Sequence, residues 1–181
     1  MSQLKIFFTL FSISILLFLS CKYPDIPKHL EIRDYLQLDY APYLRKTEKL
    51  HPQAAIGLQN KYRDVYYLVV PHPWKSDSAY VQYLYDSLAN DLKNISRHED
   101  GLHETIVLSD TSYVNDKDYY VQDLILTGVM KDQKLIFNMQ LIQKDTFLYQ
   151  TSGWLFLSKK DLWFDDIVKM NNSLIILDGK N

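Results

Sequence analysis

Residues 119–157 constrain the fold more than any other stretch, because their side chains alternate and their turns are too short for anything but hairpins. Over 134–143, Leu135, Phe137, Met139 and Leu141 share one face. Asn138, Gln140 and Lys144 fall on the other, with Ile136 and Ile142. A period of two belongs to a pleated strand and cannot present one face of a helix. The flanking turns, Lys131-Asp132-Gln133 and Lys144-Asp145, are far shorter than the dozen or so residues a parallel crossover needs. Strands over 119–130, 134–143 and 146–157 therefore form an antiparallel meander, with Gly128 marking a candidate break in the first.

Upstream, residues 54–60 and 64–70 read as two more strands joined by Lys61-Tyr62-Arg63, and Pro71 and Pro73 are expected to end the second. A short extended segment is expected at 35–40, and a loop or helical turn at 43–50, between Pro42 and Pro52. A helix is predicted over 78–95, capped by Ser76, Asp77 or Ser78. Its apolar stripe is Val81, Leu84, Tyr85, Leu88, Leu92 and Ile95. Residues 104–109 read as a short strand and 116–118 as a turn. A last helix is expected after a Ser158/Asp161 capping box, burying Trp163, Ile167, Met170 and Leu174. The tail after Leu177 is polar. The class implied is α+β, an antiparallel sheet flanked by helices.

The order strand pair, helix, meander, helix resembles the PsbP-like (Mog1/PsbP) α/β/α sandwich across residues 35–177. Three stretches carry the likeness. Residues 59–71 contain Asn-Lys-Tyr-Arg-Asp-Val-Tyr-Tyr-Leu-Val-Val, 149–157 contain Tyr-Gln-Thr-Ser-Gly-Trp, and the amphipathic segment 164–174 ends in Asn-Ser-Leu, with Leu174 where that family often has Phe. The resemblance implies a binding or assembly partner rather than an enzyme, and it transfers no site residue.

Residues 1–20 read as a secretory leader: one charge, Lys5, then an apolar stretch over 6–19 broken only by Thr9, Ser12 and Ser14. Fourteen residues fit a leader's apolar region and fall short of the roughly 20 a membrane span needs. The block ends at Phe18-Leu19-Ser20-Cys21, which resembles the lipobox of bacterial lipoproteins, in a form familiar from the Bacteroidetes. That resemblance implies cleavage before Cys21, acyl chains (palmitate among them) on Cys21, and a domain lipid-anchored in the cell envelope on the periplasmic or outer face of a membrane. Cys21 is the single cysteine, so a thioether there would leave no thiol exposed to an oxidising compartment. The expected organisation is a leader at 1–20, a lipidated tether at 21–34 stiffened by Pro24 and Pro27, one domain at 35–177 and a polar tail at 178–181.

The chain carries a net charge of −2 with its charges interspersed, which argues against nucleic acid as a partner. Candidate chemistry is sparse. His98-Glu99-Asp100-Gly101-Leu102-His103-Glu104 gathers acids and imidazoles, but a spacing of five positions turns the two histidines off one helix face. His72 and Trp74, between and beside prolines, could line a pocket, or could form a rigid turn covering a sheet edge. His29 and His51 lie beside prolines in irregular sequence. Gly-x-Ser-x-Gly and phosphate-loop patterns are missing, and Ser152-Gly153 falls inside a strand. Asp165-Asp166 point in different directions from a helix and read as a solvated face. The expectation is a non-enzymatic binding or assembly module on a membrane, with an envelope protein as partner and no catalytic residue, cofactor or metal. The alternative is a small-ligand or metal-binding lipoprotein with a pocket near Trp74 and the His98–His103 loop.

Overall fold

The structure is a computed structural model that describes residues 26–32, 35–72, 102–145 and 147–177. The predicted helix at 78–95, Trp74, His98, the expected leader at 1–20 with Cys21, and the tail after Leu177 lie outside the described residues. The described residues form ten strands and one α-helix: β1 Lys28–Ile32, β2 Leu36–Tyr40, β3 Arg45–Lys46, β4 Ile56–Asn60, β5 Val65–His72, β6 His103–Val114, β7 Tyr120–Met130, β8 Gln133–Lys144, β9 Phe147–Phe156, α1 Lys160–Ser173 and β10 Ile175–Ile176. The class is α+β, as expected.

Seven strands form one sheet in the order β3-β4-β5-β9-β8-β7-β6, and β1-β2-β10 form a small second one. The meander of β7, β8 and β9 pairs antiparallel throughout, with Leu126 opposite Phe137 and Phe137 opposite Trp154. The β7–β8 turn is tighter than the sequence suggests. Lys131 and Asp132 alone make it, both at positive φ (50° and 62°), and Gln133 already pairs with Met130. Gly128 does not break β7. It pairs with Leu135, and a Cβ there would lie 2.6 Å from Leu102, so the glycine seats that leucine.

α1 and the small sheet cover one face of the large sheet, and the main core fills the space between. Tyr67, Leu155 and Ile136 come from the large sheet, Leu36 and Leu38 from β2, and Phe164, Ile167 and Met170 from α1. The helix meets β9 at Gly153, where an added Cβ would lie 2.3 Å from Ile167 Cγ2. Ser173 ties the helix end to β2, accepting from Asp39 N–H at 3.1 Å and donating to the Asp39 carbonyl at 3.0 Å. α1 has no basic residue in its last turn. Lys117, from the β6–β7 turn, supplies a cation there by donating to the Leu174 carbonyl at 3.0 Å.

Several local expectations are corrected. Residues 28–32, read as tether, form β1 and pair with β2. The loop at 43–50 contains β3. The capping box does not form: Ser158 lies in a 3-10 turn, Leu157–Lys159, and Lys159 caps α1 without a side-chain bond. Phe164 takes the buried place expected of Trp163, which is half-buried at the helix surface. β6 runs to Val114 rather than ending at 109.

Pro71 does not end β5, and the ladder explains why. β5 pairs with β9 as far as His72, but its pairing with β4 stops at Val69. The Val69 carbonyl accepts from Ala55 N–H at 2.8 Å, so Val69 and Pro71 turn their main-chain groups toward β4. Pro71 lies past the end of that strand, where a missing N–H costs no bond. Among the described residues, no helix is long and apolar enough to cross a membrane.

Candidate functional site

The face of the large sheet opposite α1 carries a concave apolar pocket of about 510 Å³. Alternation puts it there. Leu68 and Val70 of β5, Trp154 of β9, Phe137 and Met139 of β8, and Leu126 of β7 are same-side positions in register across four strands. Leu126, Leu102, Leu124, Leu135 and Met139 pack as a second, smaller core on this face. Trp154 forms one wall, stacked on Tyr66 at 5.4 Å and on Phe137 at 6.3 Å between ring centroids.

A polar line crosses this apolar surface. His72 Nε2–H donates to Gln150 Oε1 at 3.3 Å, and Gln150 Nε2 donates to Ser152 Oγ, also at 3.3 Å. An amide oxygen can only accept, so the His72–Gln150 contact assigns the proton to Nε2. Burial lowers the His72 pKa below its usual 6.5, and nearby His51 pushes the same way, against the opposing effect of the Gln150 bond. The imidazole is therefore neutral at pH 7. His51 and Gln53 complete the rim. An apolar floor with a few aligned hydrogen-bonding groups, within the usual volume range, is a lining that a small molecule can fill.

His72 is thus placed at the pocket, as the sequence allowed. Leu102, from the His98–His103 segment, lines it too; these two residues bound the stretch 73–101. His29 lies elsewhere, in an exposed pair with Asp39 at 2.9 Å. Among the described residues no three His, Asp or Glu side chains gather as metal ligands. Ser152 sits in a regular strand position opposite Leu68 and Met139, with no sharp turn.

Two polar clusters escaped the sequence reading. The first is buried under α1. Tyr67 Oη–H donates to Asn171 Oδ1 at 2.9 Å, Asn171 Nδ2 to Asn138 Oδ1, and Asn138 Nδ2 to Asp123 Oδ1 at 2.7 Å. Burial drives the Tyr67 phenol pKa upward, so it stays a neutral donor. The second fixes the β4–β5 turn to the helix. Arg63 stacks over Tyr43 at 4.3 Å and over Trp163 at 4.1 Å, and Tyr43 Oη–H donates to Asp166 at 2.8 Å. Burial, and then the bond to Asp166, raise the Tyr43 pKa. Asp166 is therefore engaged rather than a solvated partner of the exposed Asp165. Both clusters join helix to sheet, and neither opens on the pocket.

The architecture is the PsbP-like fold. Solved structures with the same arrangement include cyanobacterial PsbP from Synechocystis sp. PCC 6803 (TM-score 0.57, 11% identity, covering 87% of this chain and 96% of that one). LpqN, involved in cell envelope biogenesis of Mycobacterium tuberculosis, is another (TM-score 0.55, 9% identity, 87% and 88%). A third is PA94 of Pseudomonas aeruginosa, a protein of unknown function and putative regulator (TM-score 0.51, 10% identity, 84% and 98%). At these identities the likeness is one of fold. No protein-family model and no curated protein matches the sequence.

Proposed function

We propose that this chain is an exported lipoprotein, held on a membrane in the cell envelope by acyl chains on Cys21, whose folded domain works as a non-enzymatic binding or assembly module. The observation that carries the reading is the sequence 18–21: a lone cysteine placed directly after a leader-length apolar stretch. A fold shared with an envelope-biogenesis protein supports it. Two or more acyl chains suffice for stable attachment, which a single chain does not give. The test is metabolic labelling with an alkyne-tagged fatty acid. Cys21→Ala is expected to abolish the label and release the mature domain from membranes. Label retained by the variant, or a mass spectrum showing a bare thiol at Cys21, overturns the reading.

The pocket favours a second reading, in which the tethered domain carries a small, largely apolar ligand that offers a polar group to the His72–Gln150–Ser152 line. Its probe is N-phenyl-1-naphthylamine, an uncharged fluorophore. Saturable binding is expected, weakened about tenfold by Met139→Gln, which keeps the side-chain length but makes the floor polar, on the order of 1.4 kcal/mol. Absence of saturation, or binding indifferent to Met139→Gln, overturns it.

A further inference from the structure

The two edges of the large sheet are unlike each other. At one end β3 is two residues long, and both are exposed cations, Arg45 and Lys46. That is a protected edge. At the other end lies β6, 12 residues long, with no proline and no lysine. It pairs with β7 on one side, and among the described residues no strand lies beyond it. Ile106, Leu108 and Val114 on this edge are 62%, 53% and 63% exposed. Register shifts interrupt its first half, between His103 and Ile106 and between Val107 and Ser109. From Ser109 to Val114 the ladder is regular.

Main-chain geometry shows which groups face outward. Asn115 N–H donates to the Tyr119 carbonyl at 3.0 Å and closes the hairpin. Hydrogen-bonded and non-bonded pairs alternate from there, so Tyr113 and Thr111 turn their main-chain groups toward β7. Ser112 and Val114 turn theirs away from it.

We propose that this edge pairs with the same edge of a second copy, antiparallel, with Thr111 on the two-fold axis. The self-complementarity of the strand selects the occupant. A two-fold axis perpendicular to the sheet keeps each side chain on its own face, so the axis must pass through a residue. Centred on Asp110, the pairing would oppose two carboxylates. Centred on Ser109 it sets Asp110 against Leu108, and centred on Ser112 it sets Asp110 against Val114. Centred on Thr111, threonine meets threonine, Asp110 meets Ser112, Ser109 meets Tyr113, and exposed Leu108 meets exposed Val114. Of these registers, only this one matches polar with polar along the regular part of the strand, and it sets Val114 against the exposed Leu108 at the register shift. The result is a continuous 14-stranded sheet with short cationic strands at both of its ends.

The test uses the full chain in mild detergent, with the protein mass read by light scattering. Two chains per particle are expected. Ser112→Pro should halve that mass while leaving the circular dichroism unchanged, because the N–H it removes does not serve β7. In a Cys21→Ala background, Thr111→Cys should form a disulfide-linked dimer under mild oxidation, since non-bonded antiparallel pairs bring Cα atoms to roughly 4.5 Å. Ser109→Cys, facing Tyr113, should not. A mass of one chain, which leaves the edge to another protein's strand or to solvent, overturns the proposal. So does a dimer that survives Ser112→Pro, or crosslinking that favours position 109 over 111.

Discussion

His72 owes its state to position rather than to residue type. Desolvation at the pocket rim disfavours its charged form, so its pKa in the folded chain lies below the 6.5 of the unfolded one. Between those two values the unfolded chain holds the extra proton, and stability therefore rises with pH. The contribution is complete above about 6.5 and is lost as pH falls through that value toward the folded pKa. NMR titration of the His72 ring should give a midpoint below 6.5, and His72→Gln should flatten the stability slope there. A midpoint above 6.5 contradicts the geometry. The buried amides illustrate the opposite problem for sequence reading. Asn138 and Asn171 have the residue type of an outer face, yet they are 1% and 4% exposed. Their partners lie 33 and 104 residues away along the chain, beyond the reach of any local pattern.

Packing between elements turns on single small residues. Gly153 lets α1 approach β9, and Gly128 admits Leu102, but both look in sequence like weak points of a strand. Gly153→Ala should destabilise the domain by about 1–3 kcal/mol, the usual range for overpacking. The Cβ would lie 2.3 Å from Ile167 and 3.1 Å from Tyr67. Urea unfolding measures the loss. Ile167→Ala is destabilising by itself, but the double variant should lose less than the sum of the two, since the clash is then removed. Equal additivity would mean the contact is not the source. The strands themselves were well marked where alternation and short turns coincide, in β4, β5, β7, β8 and β9. The errors fell where a local rule had a non-local answer. Pro71 is tolerated because β4 has already ended, and β6 continues through Asp110, Thr111 and Ser112 because β7 is there to pair with them. The capping box failed because the chain enters α1 through a 3-10 turn, with Lys159 drawn to Asp64 at 2.5 Å.

At the scale of the whole molecule, two surfaces do different work. One face of the large sheet is closed by α1 and the small sheet; the other carries the pocket. The proposed anchor at Cys21 would restrict the domain to a membrane surface, where confinement raises the local concentration of copies and favours edge pairing. Sequence alone determined the class, the meander and its hairpins, because alternation and turn length are written within a few residues of each other. It also supplied the lone cysteine behind an apolar stretch of leader length, which depends on no fold at all. Only the tertiary structure decided that His72, Gln150 and Ser152 align across an apolar floor, that amides join helix to sheet, and that the long β6 and the short β3 are the two end strands of the large sheet among the described residues. Those facts depend on which strands become neighbours, and strand order is set by contacts between residues far apart in the chain.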